Sequence, residues 1–314
     1  MAMVSSGSAS AKFILCGEHF VMSGSPGIVI PAANLRTHIS LSSTDSPGVQ
    51  VECAFRIDQP VSDTTPYEKT AASLIGEAAY LLDIDLTESG IEASIKTTIP
   101  PGQGAGSSLS LCQAIMQAML QHFLASHEIH PNYLMYFGRQ LEQRFHPISG
   151  IDNSAIAYRC PIFFEGGACY RIPLGTEFYF VVGSTGARTG TSPYEIMHRC
   201  RTEHNLCHRL YVEAEREMPE LARQMFGHLK EGSVSKTGKL MNRAHAILNG
   251  LGLSTPDIEA AIEKALELGA YGAKLTGAGA GGFVIALVPF QSIERIQKAW
   301  IQLGLTNVSF IQIH

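Results

Sequence analysis

No run of apolar residues in this chain approaches the ~18 that a membrane-crossing helix needs, so no spanning helix is expected. Charge is also scarce. Only 16% of the 314 residues are Asp, Glu, Lys or Arg, and the net charge is -5, which gives no basic surplus for a nucleic-acid backbone or an anionic membrane surface. The 7 cysteines form no Cys-x-x-Cys pair, and their count is odd. Reduced thiols in a cytoplasm are the expectation. The first residues, Met1 to Ala11, are small and polar and lack the basic start and apolar centre of a secretory leader. Internal repeats and low-complexity tails are missing too. What is present is a globular composition, 45% hydrophobic, in a chain long enough for two domains of ordinary size.

The richest local signal is Pro100-Pro101-Gly102-Gln103-Gly104-Ala105-Gly106-Ser107-Ser108. It follows an alternating stretch, Ile91–Thr97, that reads as a half-buried strand, and it precedes an apolar-periodic helix expected over Ser108–Ala125. Strand, glycine loop and helix start in that order build an anion cradle. Glycines let the backbone approach a phosphate, and the helix N-terminus offers free N–H groups and a positive dipole end. Serine hydroxyls there can cap the helix or reach a bound Mg²⁺. No Gly-Lys-Ser/Thr closes the loop, so it is not the common phosphate loop. A second glycine-rich run, Lys274-Leu275-Thr276-Gly277-Ala278-Gly279-Ala280-Gly281-Gly282, leads into an expected strand over Phe283–Val288. Either loop alone is equally a tight turn between packed elements. Together they suggest a nucleotide held between two domains.

Around these loops, Lys12–Cys16, Gly27–Ala32, Thr37–Leu41, Val49–Phe55 and Phe178–Gly183 read as strands. Thr65–Leu82 reads as a helix, and Asn132 is a candidate cap for another running to about Phe145. Asp152–Tyr158 reads as a short helix. Thr255 and Pro256 suit a helix start, with Ile258, Ile262 and Leu266 as its stripe and Gly269 as its stop. Composition shifts near residues 172–184, so the expected division is 1–175 and 176–314. Strands and helices mix in both halves, which gives an α+β class.

Several single residues invite chemistry. Lys12 enters an apolar strand, where an ammonium costs several kcal/mol unless paired, so a carboxylate partner is expected and Asp152 is the candidate. Asp152 follows a Ser149-Gly150 turn and on spacing alone is equally a helix N-cap; Glu142 is equally an exposed helix charge, and His19 a loop histidine. Read as a pair, Asp152 and Glu142 would supply a catalytic carboxylate and a metal ligand, as γ-phosphoryl transfer requires. His198, Cys200, His204, Cys207 and His208 form a cluster, the last four on one face at helical spacing, which leaves zinc as an alternative. No His-Glu-x-x-His pattern supports it.

Three stretches, in order along the chain, resemble the GHMP kinase family of ATP-dependent small-molecule kinases. Ser8 to His19 (SASAKFILCGEH) is similar to the first motif, Pro100–Ser108 to the nucleotide loop, and Lys274–Gly282 to the third motif. Glu142-Gln143-Arg144-Phe145-His146 with Ser149-Gly150-Ile151-Asp152-Asn153 resembles the mevalonate-phosphorylating branch, as does Gly269–Gly277; Ser184–Thr191 matches it more weakly. The resemblance implies a two-domain fold: an N-terminal domain with a left-handed βαβ crossover and a ferredoxin-like C-terminal domain. It implies ATP and Mg²⁺ as cofactors and phosphorylation of the 5-hydroxyl of mevalonate in isoprenoid biosynthesis, in the cytoplasm, and is compatible with a homodimer. Asp152 would be the catalytic carboxylate and Lys12 its partner. Pro101, Gly102, Gln103, Gly104, Ala105, Gly106, Ser107 and Ser108 would hold the nucleotide, and Ser108 with Glu142 the metal. Glu18, His19, Thr185, Gly277 and Ala278 would line the acceptor side, and Gly279 would shape the cleft with Gly277. The alternatives are another acceptor (a related isoprenoid acid, a sugar or a homoserine-like alcohol) and a non-catalytic ligand sensor on the same fold. This chain departs from the family pattern at Ser10-Ala11 in place of Pro-Gly, at Gln103, at Ala105 in place of Leu, at Ala280 in place of Gly, and by one residue fewer between Glu142 and Asp152.

Overall fold

A computed structural model describes residues 4–58, 61–87, 90–124, 129–143, 150–186, 190–203 and 205–314. The chain divides into two units, one of Met1–Ala11, Pro31–Pro101 and Gly106–Arg159, the other of Lys12–Ile30, Gly102–Ala105 and Cys160–His314. Strands β1 (Ser5–Cys16) and β2 (Gly27–Thr44) each contribute residues to both. The expected strands 27–32 and 37–41 are one strand. Pro31 lies within it.

In the first unit, β3 (Val49–Phe55), α1 (Thr65–Leu81) and β4 (Gly90–Thr97) form a βαβ crossover, with β3 and β4 parallel over Val49–Phe55 and Ile91–Thr97. β4 also pairs antiparallel with Thr37–Thr44 of β2. Helices α2 (Ser107–Leu124), α3 (Pro131–Glu142) and α4 (Ile151–Tyr158) complete the unit. Alternation in β4 sends Ile91, Ala93 and Ile95 into a core shared with Leu74, Ile75 and Ala78 of α1 and Leu111, Ile115 and Met119 of α2. Each such Leu, Ile or Met contributes about 1.5–3 kcal/mol by leaving water. Gly7 of β1 lies so close to α2 that a Cβ there would be 1.9 Å from the Ala114 carbonyl oxygen. Helix α3 is capped by His130, whose ring nitrogen accepts from the Asn132 N–H, and not by Asn132. The helix ends at Glu142, and the expected continuation to Phe145 runs into residues outside those described.

The long C-terminal stretch of the second unit begins with β5 (Ile162–Glu165) and β6 (Ala168–Arg171), an antiparallel pair whose β5 also pairs with Gly27–Val29 of β2. β7 (Phe178–Ser184) follows, then α5 (Pro193–Thr202), α6 (Leu206–Glu231), α7 (Val234–Gly250) and α8 (Pro256–Glu267). β8 (Gly272–Leu275), β9 (Phe283–Val288), α9 (Ile293–Gln302) and β10 (Thr306–Ile313) end the chain. The four last strands form an antiparallel sheet in the order β10-β7-β9-β8. Counted along the chain that is fourth, first, third, second, with helices after the first and third strands, which is the ferredoxin-like arrangement. Thr255 caps α8 as expected, accepting from the Ile258 N–H. The stripe of α8 is Ile258, Ala261, Ile262 and Ala265, while Leu266 is 38% exposed. The single tryptophan, Trp300 of α9, is buried and donates to the Ala261 carbonyl at 2.8 Å, tying α9 to α8. Among the described residues no helix is long and apolar enough to cross a membrane.

Candidate active site

The first motif runs off the end of β1. Gly17 takes φ +99°, and a Cβ there would stand 2.6 Å from the Pro26 carbonyl oxygen, so the turn that presents Glu18 and His19 requires glycine. Lys12 is buried. Its backbone N–H donates to the Ala105 carbonyl at 3.1 Å and its Nζ to the Gly104 carbonyl at 3.3 Å, so the lysine is fastened to the glycine loop at both ends. His19 also holds a positive φ of 63°, and its Nε2 lies 2.7 Å from the Ala278 carbonyl oxygen.

In the glycine loop, Gly102, Gly104 and Gly106 take φ of +73°, +93° and +79°. Three such residues in five favour glycine at each place. Pro101 and Gly102 are exposed, and a Cβ on Gly102 would meet nothing within 4 Å. The first helical bond of α2 runs from the Ser110 N–H to the Gly106 carbonyl at 2.9 Å. The N–H groups of Ser107, Ser108 and Leu109 therefore belong to the first turn, whose donors have no acceptor within the helix. Ser107 is buried and Ser108 half-buried. The chain thus offers open backbone and a helix N-terminus in succession, the chemistry of a phosphate cradle.

The third motif is fastened to both of the others. Thr276 Oγ1 accepts from the Ile14 N–H and donates to the Ile14 carbonyl, each at 3.0 Å. Cβ atoms on Gly277 and Gly282 would stand 3.2 Å from the Gly104 carbonyl oxygen and 2.4 Å from that of Gln103. The Phe283 N–H donates to the Gln103 carbonyl at 3.3 Å. Thr185 donates both its N–H (2.9 Å) and its hydroxyl (3.1 Å) to the Gly282 carbonyl. Ala280 sits at φ +57°, the conformation that explains why the family pattern has glycine there. Beneath these loops lies an ion pair between Lys274, 0% exposed, and Glu18, 1% exposed. Burial pushes the Glu18 carboxyl above its ordinary range, and Lys274 pulls it back only in part. Glu18 is therefore held beneath the loops by a lysine. The signal for Lys274 was present: like Lys12, it is a lone charge entering an apolar strand.

Two family models match this chain, one for the GHMP kinases N terminal domain over residues 69–160 and one for GHMP kinases C terminal over residues 225–304. A mevalonate kinase of Pyrococcus horikoshii is 33% identical over 317 residues, covering 91% of this chain and 89% of that protein. The chain belongs to the GHMP kinase family. A mevalonate kinase of Thermococcus sibiricus is 30% identical over 323 residues, covering 97% of this GHMP kinase and 95% of its relative. A crystal structure of L. major mevalonate kinase in complex with R-mevalonate shares the fold, with a TM-score of 0.86 at 22% identity, over 100% of this chain and 97% of that one.

In this GHMP kinase the remaining expected residues lie in the first unit. Asp152 is in the first turn of α4, half-buried; the N-cap position belongs to Gly150, at φ +92°, so Asp152 is not the cap. Its neighbour Asn153 anchors the helix. Asn153 Nδ2 donates to the Met135 carbonyl at 2.9 Å, and Gln113 Nε2 donates to the Asn153 carbonyl at 3.0 Å and to its side-chain oxygen. A Cβ on Gly138 would press on both side chains, at 3.1 Å from Asn153 and 3.2 Å from Gln113. Gln113 and Gly138 carry no chemistry-bearing pattern in the sequence, and only the packing of α2, α3 and α4 reveals them; Asn153 lies inside the quoted motif, which assigns it no role. Glu142 is buried, not an exposed helix charge. It lies near enough to Cys112 to help raise that thiol's pKa, after burial itself. Cys112 stands one turn beyond Ser108 on α2.

A hydroxyl and a carboxylate are hard oxygen donors that suit Mg²⁺, which keeps waters and takes phosphate oxygens as its other ligands. No group of three or more His, Cys, Asp or Glu side chains among the described residues could cage a metal alone. The His198–His208 cluster does not lie on one helix. The segment breaks between α5 and α6, where the Asn205 side chain caps α6 by accepting from the His208 N–H. Cys200 and Cys207 are joined in a disulfide, with Cα atoms 4.9 Å apart, which corrects the expectation that all thiols are reduced. His204 lies outside the described residues.

Proposed function

We propose that this chain transfers the γ-phosphoryl group of ATP to the primary 5-hydroxyl of mevalonate. One observation carries the reading: Lys12, the Gly102–Ala105 loop and the Thr276–Gly282 loop, far apart in sequence, are stitched together by backbone bonds and glycine contacts. Their relatives are mevalonate kinases over nearly the whole chain.

In this proposal the glycine-loop backbone and the first turn of α2 bind the phosphates through N–H groups that are already aimed. Asp152 orients the acceptor hydroxyl and takes its proton as the oxygen attacks the γ-phosphorus. The bond to the β,γ-bridging oxygen breaks and ADP leaves. Lys12, held by the Gly104 and Ala105 carbonyls, pairs with Asp152 and favours the alkoxide-like charge on the attacking oxygen. Mg²⁺, when bound at Ser108 and Glu142, spreads the phosphate charge. His19, Thr185, Gly277 and Ala278 form the acceptor side, Glu18 supports it from beneath through its pair with Lys274, and residues 1–175 and 176–314 are the two domains. Cytoplasmic location and a homodimer belong to the same proposal and rest on family resemblance. Phosphoryl transfer leaves the protein little covalent work, so rigid placement is the main contribution. Phosphorus NMR of a reaction of ATP with mevalonate tests the reading: a single new monoester on the 5-carbon supports it, and a spectrum holding only ATP overturns it.

A further inference from the structure

Gln103 departs from the family pattern, and its side chain has a partner that no motif assigns. It is 9% exposed, and its carboxamide oxygen accepts a hydrogen bond from the hydroxyl of Ser184, which is 0% exposed at the end of β7. The same hydroxyl accepts from the Gly186 N–H at 3.1 Å. Ser184 Oγ thus accepts one proton and donates its own to the Gln103 oxygen. Bonds in such a chain polarise one another, and burial strengthens them.

The chain closes into a ring. The Gln103 carbonyl accepts from the Phe283 N–H, next to Gly282. The Gly282 N–H donates to the Gly186 carbonyl at 3.1 Å, and the Gly282 carbonyl accepts both donors of Thr185. Gly186, at φ +100°, is the second residue after β7. A displacement of the glycine loop at Gln103 therefore reaches Thr185 and Gly186 through one buried hydroxyl on one side and through Gly282 on the other.

We propose that Ser184 is a positioning residue that couples the nucleotide loop to the acceptor-side segment Thr185–Gly186, so that nucleotide and acceptor bind cooperatively. This rests on the reading that Gly102–Ser108 holds ATP and that Thr185 faces the acceptor. Ser184 touches neither ligand in this account. Its action runs through the Gln103 carboxamide and the Gly186 N–H.

The test is a thermodynamic cycle by calorimetry on the full chain, with mevalonate and a non-hydrolysable ATP analogue. In the unmodified protein each ligand tightens the other by the same factor, expected within the roughly 5–150-fold range of such couplings. Ser184→Ala and Gln103→Leu each bring that factor close to one, and the double variant loses no more than either single, because both cut one chain. Amide hydrogen exchange gives a readout independent of the acceptor. The analogue alone protects residues 184–186 in the unmodified protein and not in the variants. Variants that weaken both ligands while keeping the coupling factor and the protection overturn the relay, as does a factor of one in the unmodified protein. An unmodified protein that binds neither ligand overturns the underlying reading, and the relay with it.

Discussion

At the scale of single residues, charge placement separates structure from chemistry. Lys274 and Glu18 are both fully enclosed, and together they form a pair whose desolvation is offset only while both remain. Lys274→Met leaves a buried carboxylate alone and is expected to cost about 3–5 kcal/mol, read as a lower urea midpoint. The sign of its pH dependence follows from Glu18. Its folded-state carboxyl is already raised by burial, and losing Lys274 removes the effect that lowers it. The deficit is therefore greatest at high pH, where Glu18 is ionised, and shrinks as falling pH protonates Glu18. Pairing the change with Glu18→Gln recovers much of the loss; an unchanged deficit in the double variant would contradict the ion-pair account. Asp152 differs, since it sits half-buried in the first turn of α4 on a helix fixed by its neighbour Asn153. Asp152→Asn is expected to retain ATP binding and unfolding midpoint while kcat falls by about two to four powers of ten, the scale of a lost proton acceptor. Near-normal turnover in that variant removes Asp152 from the mechanism.

At the scale of elements, the two glycines that look alike in sequence do different work. Gly102 takes φ +73° with open space where a side chain would go, whereas at Gly282 (φ +88°) a Cβ would strike the Gln103 carbonyl. Gly282→Ala is therefore expected to lower thermal stability by more than the ~1–2 kcal/mol of a left-handed alanine alone. Gly102→Ala costs no more than that and acts mainly on the KM for ATP. Thermal melts and ATP titrations of both variants check the contrast, and equal melting shifts would refute it. The strands Val49–Phe55 and Phe283–Val288 and the cap at Thr255 were legible because alternation, apolar runs and turn chemistry are local. The joined strand β2, the cap at His130 and the break between α5 and α6 were not, because partner strands and competing caps decided them. The same division holds in the site. Lys12 and the glycine loops announce themselves by residue type. Gln113, Asn153 and Ser184 are ordinary polar residues whose roles exist only through what they meet across 40 to 81 positions of chain.

At the scale of the whole molecule, composition set the class and motif order set the family. The four-stranded sheet β10-β7-β9-β8 and the parallel β3–α1–β4 crossover supply the frame. Within the second unit the chain brings together a lysine, the glycine loop and a third loop. Phosphate-binding parts persist while acceptor pockets change with few residues, so the acceptor is the sharpest question about this kinase. The most direct test is ADP release, followed by a coupled assay, with ATP and Mg²⁺ and with mevalonate, galactose, homoserine or phosphomevalonate in turn. The account predicts that mevalonate gives the highest kcat/KM by at least about two powers of ten, the scale of discrimination that a site built around an acceptor's polar groups provides. Equal or faster turnover of any other acceptor, or no ADP release with any of them, contradicts it.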